Sequence, residues 1–240
     1  MNHKLLKKII IAALTAACAL FGVAHADASG AEAGSDTTSR WGGLALTAKA
    51  GTLGAGLELT KGLTDTLNLR AGVNGYSYDY SGVESGIDYS LDLDLRTASL
   101  LADWHPINGG FRITGGVFYN GNELNGTGRP AAGGTYDIDG TTYTAAEVGT
   151  LSAAVDFSSV APYLGVGWGN AIDTKERWHV SLDVGVMFQG GPEARLSADG
   201  SLASDPAFQS DLAREQASLQ DEIDEFKYYP VLSAGVSYRF

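Results

Sequence analysis

The sequence predicts an all-β chain: an eight-stranded antiparallel transmembrane β-barrel with long outer loops and one amphipathic loop helix. Three observations predict it. From Trp41 onward the apolar residues recur with a period of two, over runs longer than the five to six residues of an average strand. In those runs the uniform face is apolar, while the other face carries Arg, Asp, Asn and Gly. Aromatic residues gather near the strand ends, at Trp104, Phe111, Trp168, Trp178, Tyr228 and Tyr229, as at the two lipid–water boundaries of a membrane barrel. The composition agrees. Only 18% of the residues are charged, against about 25% in a typical soluble domain, because a lipid-facing surface leaves few places for charge. The 32 glycines among 240 residues suit a narrow interior. The same figures exclude a highly charged disordered chain and a basic nucleic-acid binder.

Residues 1–26 read as a secretory signal peptide: Lys4, Lys7 and Lys8, an apolar run from Ile9 to Val23, then Ala24, His25 and Ala26 as a small-x-small cleavage site. The run is shorter than the roughly 20 apolar residues of a transmembrane helix. Its removal leaves 214 residues with 13 basic and 28 acidic groups, so the net charge moves from −12 to −15. Cys18, the only cysteine, leaves with it, and no disulfide is expected. Residues 27–40, rich in Ala, Gly, Ser, Asp and Thr, have no apolar period and read as a flexible tail.

Residues 41–240 carry the strands, predicted over 41–50, 53–61, 66–80, 88–104, 111–122, 150–170, 177–190 and 228–240. The clearest alternation sets Trp178, Val180, Leu182, Val184, Val186 and Phe188 against His179, Ser181, Asp183, Gly185, Met187 and Gln189. Segment 41–61 is read as two strands with a tight turn at Gly51-Thr52, since single-chain bacterial barrels have even strand numbers. Around Thr97 the apolar set changes parity, from Leu91, Leu93 and Leu95 to Ala98, Leu100, Ala102 and Trp104, which predicts a bulge. Short connections at 61–66, 105–110 and 172–177 predict periplasmic turns, and long ones at 80–88, 121–149 and 189–227 predict outer loops. The last contains a helix, with Asp205 as N-cap, Pro206 in the first turn, and Phe208, Leu212, Leu219, Ile223 and Phe226 at helical spacing. Its opposite face is acidic. The apolar stripe predicts a lid packed on the barrel rim or neighbouring loops, with an exposed binding element for a partner or divalent cations as the alternative reading.

The C-terminal strand alternates Leu232, Ala234, Val236, Tyr238 and Phe240 with small or polar residues and stops on Phe240. It resembles the terminal strand of Gram-negative outer membrane proteins, and the general design is similar to that of small barrels of the OmpA or OmpX type. The resemblance implies the outer membrane as location, outer membrane lipid and lipopolysaccharide as surroundings, and recognition of Tyr238 and Phe240 by the barrel assembly machinery. The resemblance is silent on activity, and the role expected of the chain is structural or surface-interaction. No peptidoglycan-binding domain is expected after the barrel.

Alternation assigns Lys49, Arg70, Arg96, Arg112 and Arg239 to the lumen as cations, and Glu58, Asp92, Asp94, Asp103, Asp156 and Asp183 as anions. Such charges are tolerable in the filled interior of an eight-stranded barrel only when paired. They therefore predict a salt-bridged plug, with a narrow porin-like path for ions or small solutes as the alternative. Catalysis is not expected. His105 and His179, the two histidines of the mature chain, belong to the turn end, and no Gly-x-Ser-x-Gly elbow, cysteine nucleophile or metal-ligand cluster is present. No cofactor is implied. The acidic outer loops are where an extracellular partner would meet the chain.

Overall fold

The computed structural model describes residues 43–84, 86–107, 109–131, 133–173 and 175–240. The predicted signal peptide, 1–26, and the predicted tail, 27–40, fall outside them. The chain forms β1 (Leu44–Gly51), β2 (Gly54–Gly62), β3 (Leu67–Glu84), β4 (Ile87–Trp104), β5 (Phe111–Asn120), β6 (Glu123–Pro130), β7 (Thr135–Ile138), β8 (Thr141–Thr144), α1 (Ala145–Val148), β9 (Leu151–Asp156), β10 (Val160–Trp168), β11 (Trp178–Phe188), β12 (Glu193–Ala198), α2 (Pro206–Ile223) and β13 (Tyr228–Arg239). Eight of these strands close antiparallel into a ring, in the order β1-β2-β3-β4-β5-β10-β11-β13 and back to β1. The segment 41–61 is two strands. Gly51 faces Gly54 across a two-residue turn, and Gly54 at φ +89° takes a conformation that side chains disfavour.

One end of the ring has only short connections, after β2, β4 and β10. At the other end five strands continue beyond it. β6 prolongs β5 against the same partner in the same register, Asn120 facing Thr97 and Glu123 facing Asp94. β9 prolongs β10 likewise against β5 and β6. β12 prolongs β11 with a one-residue offset at 189–192, where Gly190 has φ +73°. The upper parts of β3, β4, β6, β9 and β12 thus form a five-stranded half-pipe standing on the ring. Its concave face is apolar, with Leu91, Leu93, Leu124, Leu151 and Val155 buried. The β7–β8 hairpin and α2 fill it, through Tyr136, Ile138, Phe208, Leu212, Leu219 and Ile223.

This corrects three expectations. Segment 80–88 is not a long loop, because β3 and β4 stay paired as far as Glu84 and Ile87. The other long loops, 121–149 and 189–227, are largely ordered secondary structure. The parity change at Thr97 is not a bulge, because β3 and β4 pair without a break from Leu67–Trp104 to Glu84–Ile87. Odd residues of β4 face inward along its whole length. What changes at Thr97 is the environment: the inner face is polar lumen below and apolar half-pipe core above, while the outer face is apolar below and polar above.

α2 begins as its sequence predicts. Asp205 caps it, its carboxylate accepting from the Ala207 and Phe208 amides at 2.9 and 3.0 Å. Phe208 packs edge-on against Tyr143 with ring centroids 5.0 Å apart. The helix also covers the outer edge of β12. The Leu196 amide donates to Gln216 Oε1 at 3.0 Å, the Ala194 amide donates to Gln220 Oε1 at 2.9 Å, and Gln220 Nε2 donates to the Pro192 carbonyl at 2.6 Å.

Candidate functional site

The lumen is crossed by six charged side chains supplied by six strands of the ring. Inward parity on β1, β2, β3, β4, β5 and β11 presents Lys49, Glu58, Arg70, Asp103, Arg112 and Asp183 at neighbouring heights. Arg70 is the hub. Its guanidinium lies 3.0 Å from Glu58, 2.7 Å from Asp103 and 3.2 Å from Asp183. Arg112 pairs with Asp183 at 2.8 Å and also donates to the Gly169 carbonyl. Lys49 reaches Glu58 at 2.8 Å. Three cations face three anions, so the set is formally neutral, and Arg70 is 4% exposed.

Thr114 completes the centre by donating to Asp103 Oδ1 at 2.7 Å. The space is made by glycine: a Cβ on Gly167 would lie 2.8 Å from Arg112 Nε and 2.9 Å from Asp183 Oδ1. Tyr163 lies over Gly165 and Gly185 on the same interior, stacked edge-on against Phe118 at 5.3 Å. Above and below, neutral pairs continue the filling: Asn74 Nδ2 to Thr97 Oγ1 at 3.0 Å, Thr47 with Ser237 at 2.7 Å, and Asn68 Nδ2 to Asn170 Oδ1 at 3.1 Å.

Four of the other residues assigned to the lumen lie elsewhere. Asp92, Asp94 and Arg96 stand on the outer face of β4 above the ring, where Arg96 pairs with Asp94 at 2.9 Å. Asp156 is on the outer face of β9 and pairs with Arg195 at 2.7 Å. All four were placed by an apolar–polar contrast that reverses where the strands leave the apolar belt. Arg239 keeps its inward parity, opposite buried Ala45 at the turn end, and joins no ion pair among the described residues. Sequence reasoning missed Thr114, whose inward parity opposite Asp103 is the signal that finds it. It also missed Gln216 and Gln220, whose four-residue spacing puts both on the β12 side of α2.

The outer face of the half-pipe carries an ordered set of acids. One row across adjacent strands reads Ser77, Asp94, Glu123, Asp156 and Glu193. The next reads Asp79, Asp92, Asn125, Ala154 and Arg195. Ser77 Oγ donates to Asp94 at 2.5 Å and holds that carboxyl below its usual range. Among the described residues no group of His, Cys, Asp or Glu is arranged to hold a metal ion.

His105 and His179 both lie at the turn end. The His105 amide donates to the Thr66 carbonyl at 2.8 Å, and His179 Nε2 is 2.8 Å from the Glu176 carbonyl. At the same end the Phe240 amide donates to the Leu44 carbonyl at 2.9 Å, joining the last strand to the first. Tyr238 stacks edge-on with Phe240 at 5.4 Å and with Trp178 at 5.0 Å.

Among the solved structures similar in fold to this chain are two from one organism. Acinetobacter baumannii CarO2 is 23% identical with a TM-score of 0.54, the match covering 82% of this chain and 98% of that one. Acinetobacter baumannii CarO is 24% identical with a TM-score of 0.52, covering 82% and 97%. The chain shares their fold. It is the fold of a small outer membrane β-barrel. No protein-family model and no curated protein matches the sequence.

Proposed function

We propose that the chain is an eight-stranded transmembrane β-barrel of the outer membrane of a Gram-negative bacterium, with a structural or surface-interaction role and a lumen closed by paired charges. Large apolar side chains stay exposed all around the ring, among them Leu57 at 52%, Val73 at 58%, Leu164 at 58% and Val180 at 63%. So continuous an apolar surface asks for lipid. Trp104, Trp168, Trp178 and Phe240 border the belt at the turn end, and Tyr119, Phe188 and Tyr228 border it at the other. From Trp178 to Phe188 a strand tilted about 40° rises roughly 26 Å, the height of the apolar band of outer membrane barrels. The turn end is then periplasmic and the half-pipe stands outside the cell.

The observation that carries the role is the neutral six-charge cluster. Each of its charges is paired, and Glu58, Arg70, Asp103, Arg112 and Asp183 are buried where the walls of a conduit would be wet. The surroundings are lipid and, on the outer leaflet, lipopolysaccharide. The closing strand with Tyr238 and Phe240 is the segment offered to the barrel assembly machinery. Planar-bilayer recording of the purified full chain, with heat-modifiable gel migration as the check on folding, tests this reading. Electrical silence of the folded protein is expected. Reproducible conductance steps that change with Arg70→Ala or Asp183→Asn would overturn it in favour of a narrow channel.

A further inference from the structure

The half-pipe has two free margins, and they are finished differently. At β12 the margin is covered by α2, whose Gln216 and Gln220 satisfy the Leu196 and Ala194 amides and the Pro192 carbonyl. At β3 the margin is bare. β2 pairs with β3 only as far as Gly75, so residues 76–84, held on one side by β4, have no strand on the other among the described residues. These nine residues run about 27 Å, and every second one turns its amide and carbonyl to the open side. Natural edge strands are usually short, or blunted by Lys, Pro or a bulge. This one contains no Lys or Pro and keeps an unbroken register with β4.

Its side chains specify what it would pair with. On the inner face Tyr76, Tyr78 and Tyr80 continue the apolar concave surface, facing Leu95, Leu93 and Leu91. They lie beyond the cover of α2, at 38%, 51% and 47% exposure. On the outer face Asp79 faces Asp92 directly. Like charges opposite each other are destabilising, and among the described residues neither is in an ion pair. The charge around them is also unbalanced: Asp79, Asp88, Asp92, Asp94 and Glu123 stand against Arg96 and Arg129. A strand added beside β3 would place one side chain next to Asp79 in the Asp92–Asp79 row, and its two neighbours next to Tyr78 and Tyr80 on the other face.

We infer that residues 76–84 of β3 are a docking edge for a cationic, extended peptide segment in which basic and apolar side chains alternate. The segment adds a sixth strand to the half-pipe, laying apolar side chains on Tyr76, Tyr78 and Tyr80 and a Lys or Arg beside Asp79. Backbone pairing gives the site its requirement for an extended chain, and the two faces give it the alternation. The inference rests on the outward placement of the half-pipe argued above.

The test uses the full chain folded in vesicles of zwitterionic phosphatidylcholine. The probe is a fluorescent nine-residue peptide alternating Val and Lys, with binding read by anisotropy. Two forms of the peptide carry N-methyl groups on one or the other set of alternate residues. One form should lose binding and the other keep it, since only one set of amides faces β3. A peptide of the same composition with Lys and Val in separate blocks should bind at least tenfold more weakly. Tyr78→Ala combined with Tyr80→Ala should weaken binding about tenfold, as expected for two cross-strand aromatic contacts. Asp79→Asn should weaken it and flatten its salt dependence. Heat-modifiable migration checks that each variant is folded.

Equal binding of both N-methylated forms, or of the block peptide, would reduce the effect to ionic adsorption and overturn the inference. So would a dimer cross-linked through Ser81→Cys in the absence of peptide, which would assign the edge to a second copy. An electrically silent barrel that fails to bind the alternating peptide removes this inference and leaves the proposed role standing. A conducting barrel that binds it removes the role and leaves the edge.

Discussion

Arg70→Ala tests the lumen most directly. Arg70 is 4% exposed and, among the described residues, is the only group that touches all three carboxylates of the cluster, Glu58, Asp103 and Asp183. Its removal leaves Lys49 and Arg112 against three anions, a buried excess of one negative charge, and empties the space the guanidinium filled. Breaking a buried ion pair from one side costs about 3–5 kcal/mol, which is about two to four powers of ten in the folding equilibrium. Urea unfolding in vesicles, followed by heat-modifiable gel migration, reads this as a lower midpoint. Arg70→Met with Asp103→Leu should recover most of the loss, because Lys49 with Glu58 and Arg112 with Asp183 remain balanced. A single mutant within about 1 kcal/mol of the parent, a value typical of solvent-exposed pairs, would mean that water screens these charges. If that mutant also conducted, the same residues would line a path and the plug would be refuted.

Other substitutions probe the remaining contacts. Gly167→Ala places a methyl group within 3 Å of Arg112 and Asp183 and should destabilise by about 1–3 kcal/mol in the same unfolding assay. Gln216→Ala with Gln220→Ala strips the β12 margin of its side-chain partners; loss of about 1 kcal/mol per bond should appear as faster hydrogen exchange at Ala194 and Leu196, with the ring unaffected. Asp205→Ala removes the N-cap and should cost about 1 kcal/mol, read as fraying of the first turn of α2.

The contact between α2 and the β7–β8 hairpin should depend on pH at both ends of the scale. The Tyr143 hydroxyl donates to Asp211 at 2.7 Å, which lowers the carboxyl below its ordinary 3.8 and pushes the phenol up to about 12. The Asp211 contribution is therefore complete above about pH 4 and lost as pH falls through the lowered value. The Tyr143 contribution is complete below pH 10 and lost as pH rises towards 12. Exchange rates at the start of α2 that stay flat across both windows would contradict the contact.

The eight strands of the ring were legible because a sheet with one apolar and one polar face writes a period of two, unbroken over the eleven residues of Trp178–Phe188, and the aromatic strand ends point its apolar face to lipid. The helix was legible from Asp205 and Pro206 at its start. The half-pipe was hidden by the same rule that revealed the ring. Alternation identifies two faces but gives neither an address, and inward is polar in the lumen yet apolar under α2. Alternation alone thus turns Leu91, Leu93 and Leu95 on β4 to lipid, and Asp92, Asp94, Arg96 and Asp156 to the lumen. The observation that undoes this is register: an unbroken ladder from Leu67–Trp104 to Glu84–Ile87 leaves no room for a bulge. In a barrel whose strands outrun the membrane, a reversal of apolar parity without a break in pairing therefore marks the level at which the strand leaves lipid. For β4 that level is Arg96–Thr97, and it places the Asp79–Asp92 row and the bare edge of β3 in water, where a partner can reach them.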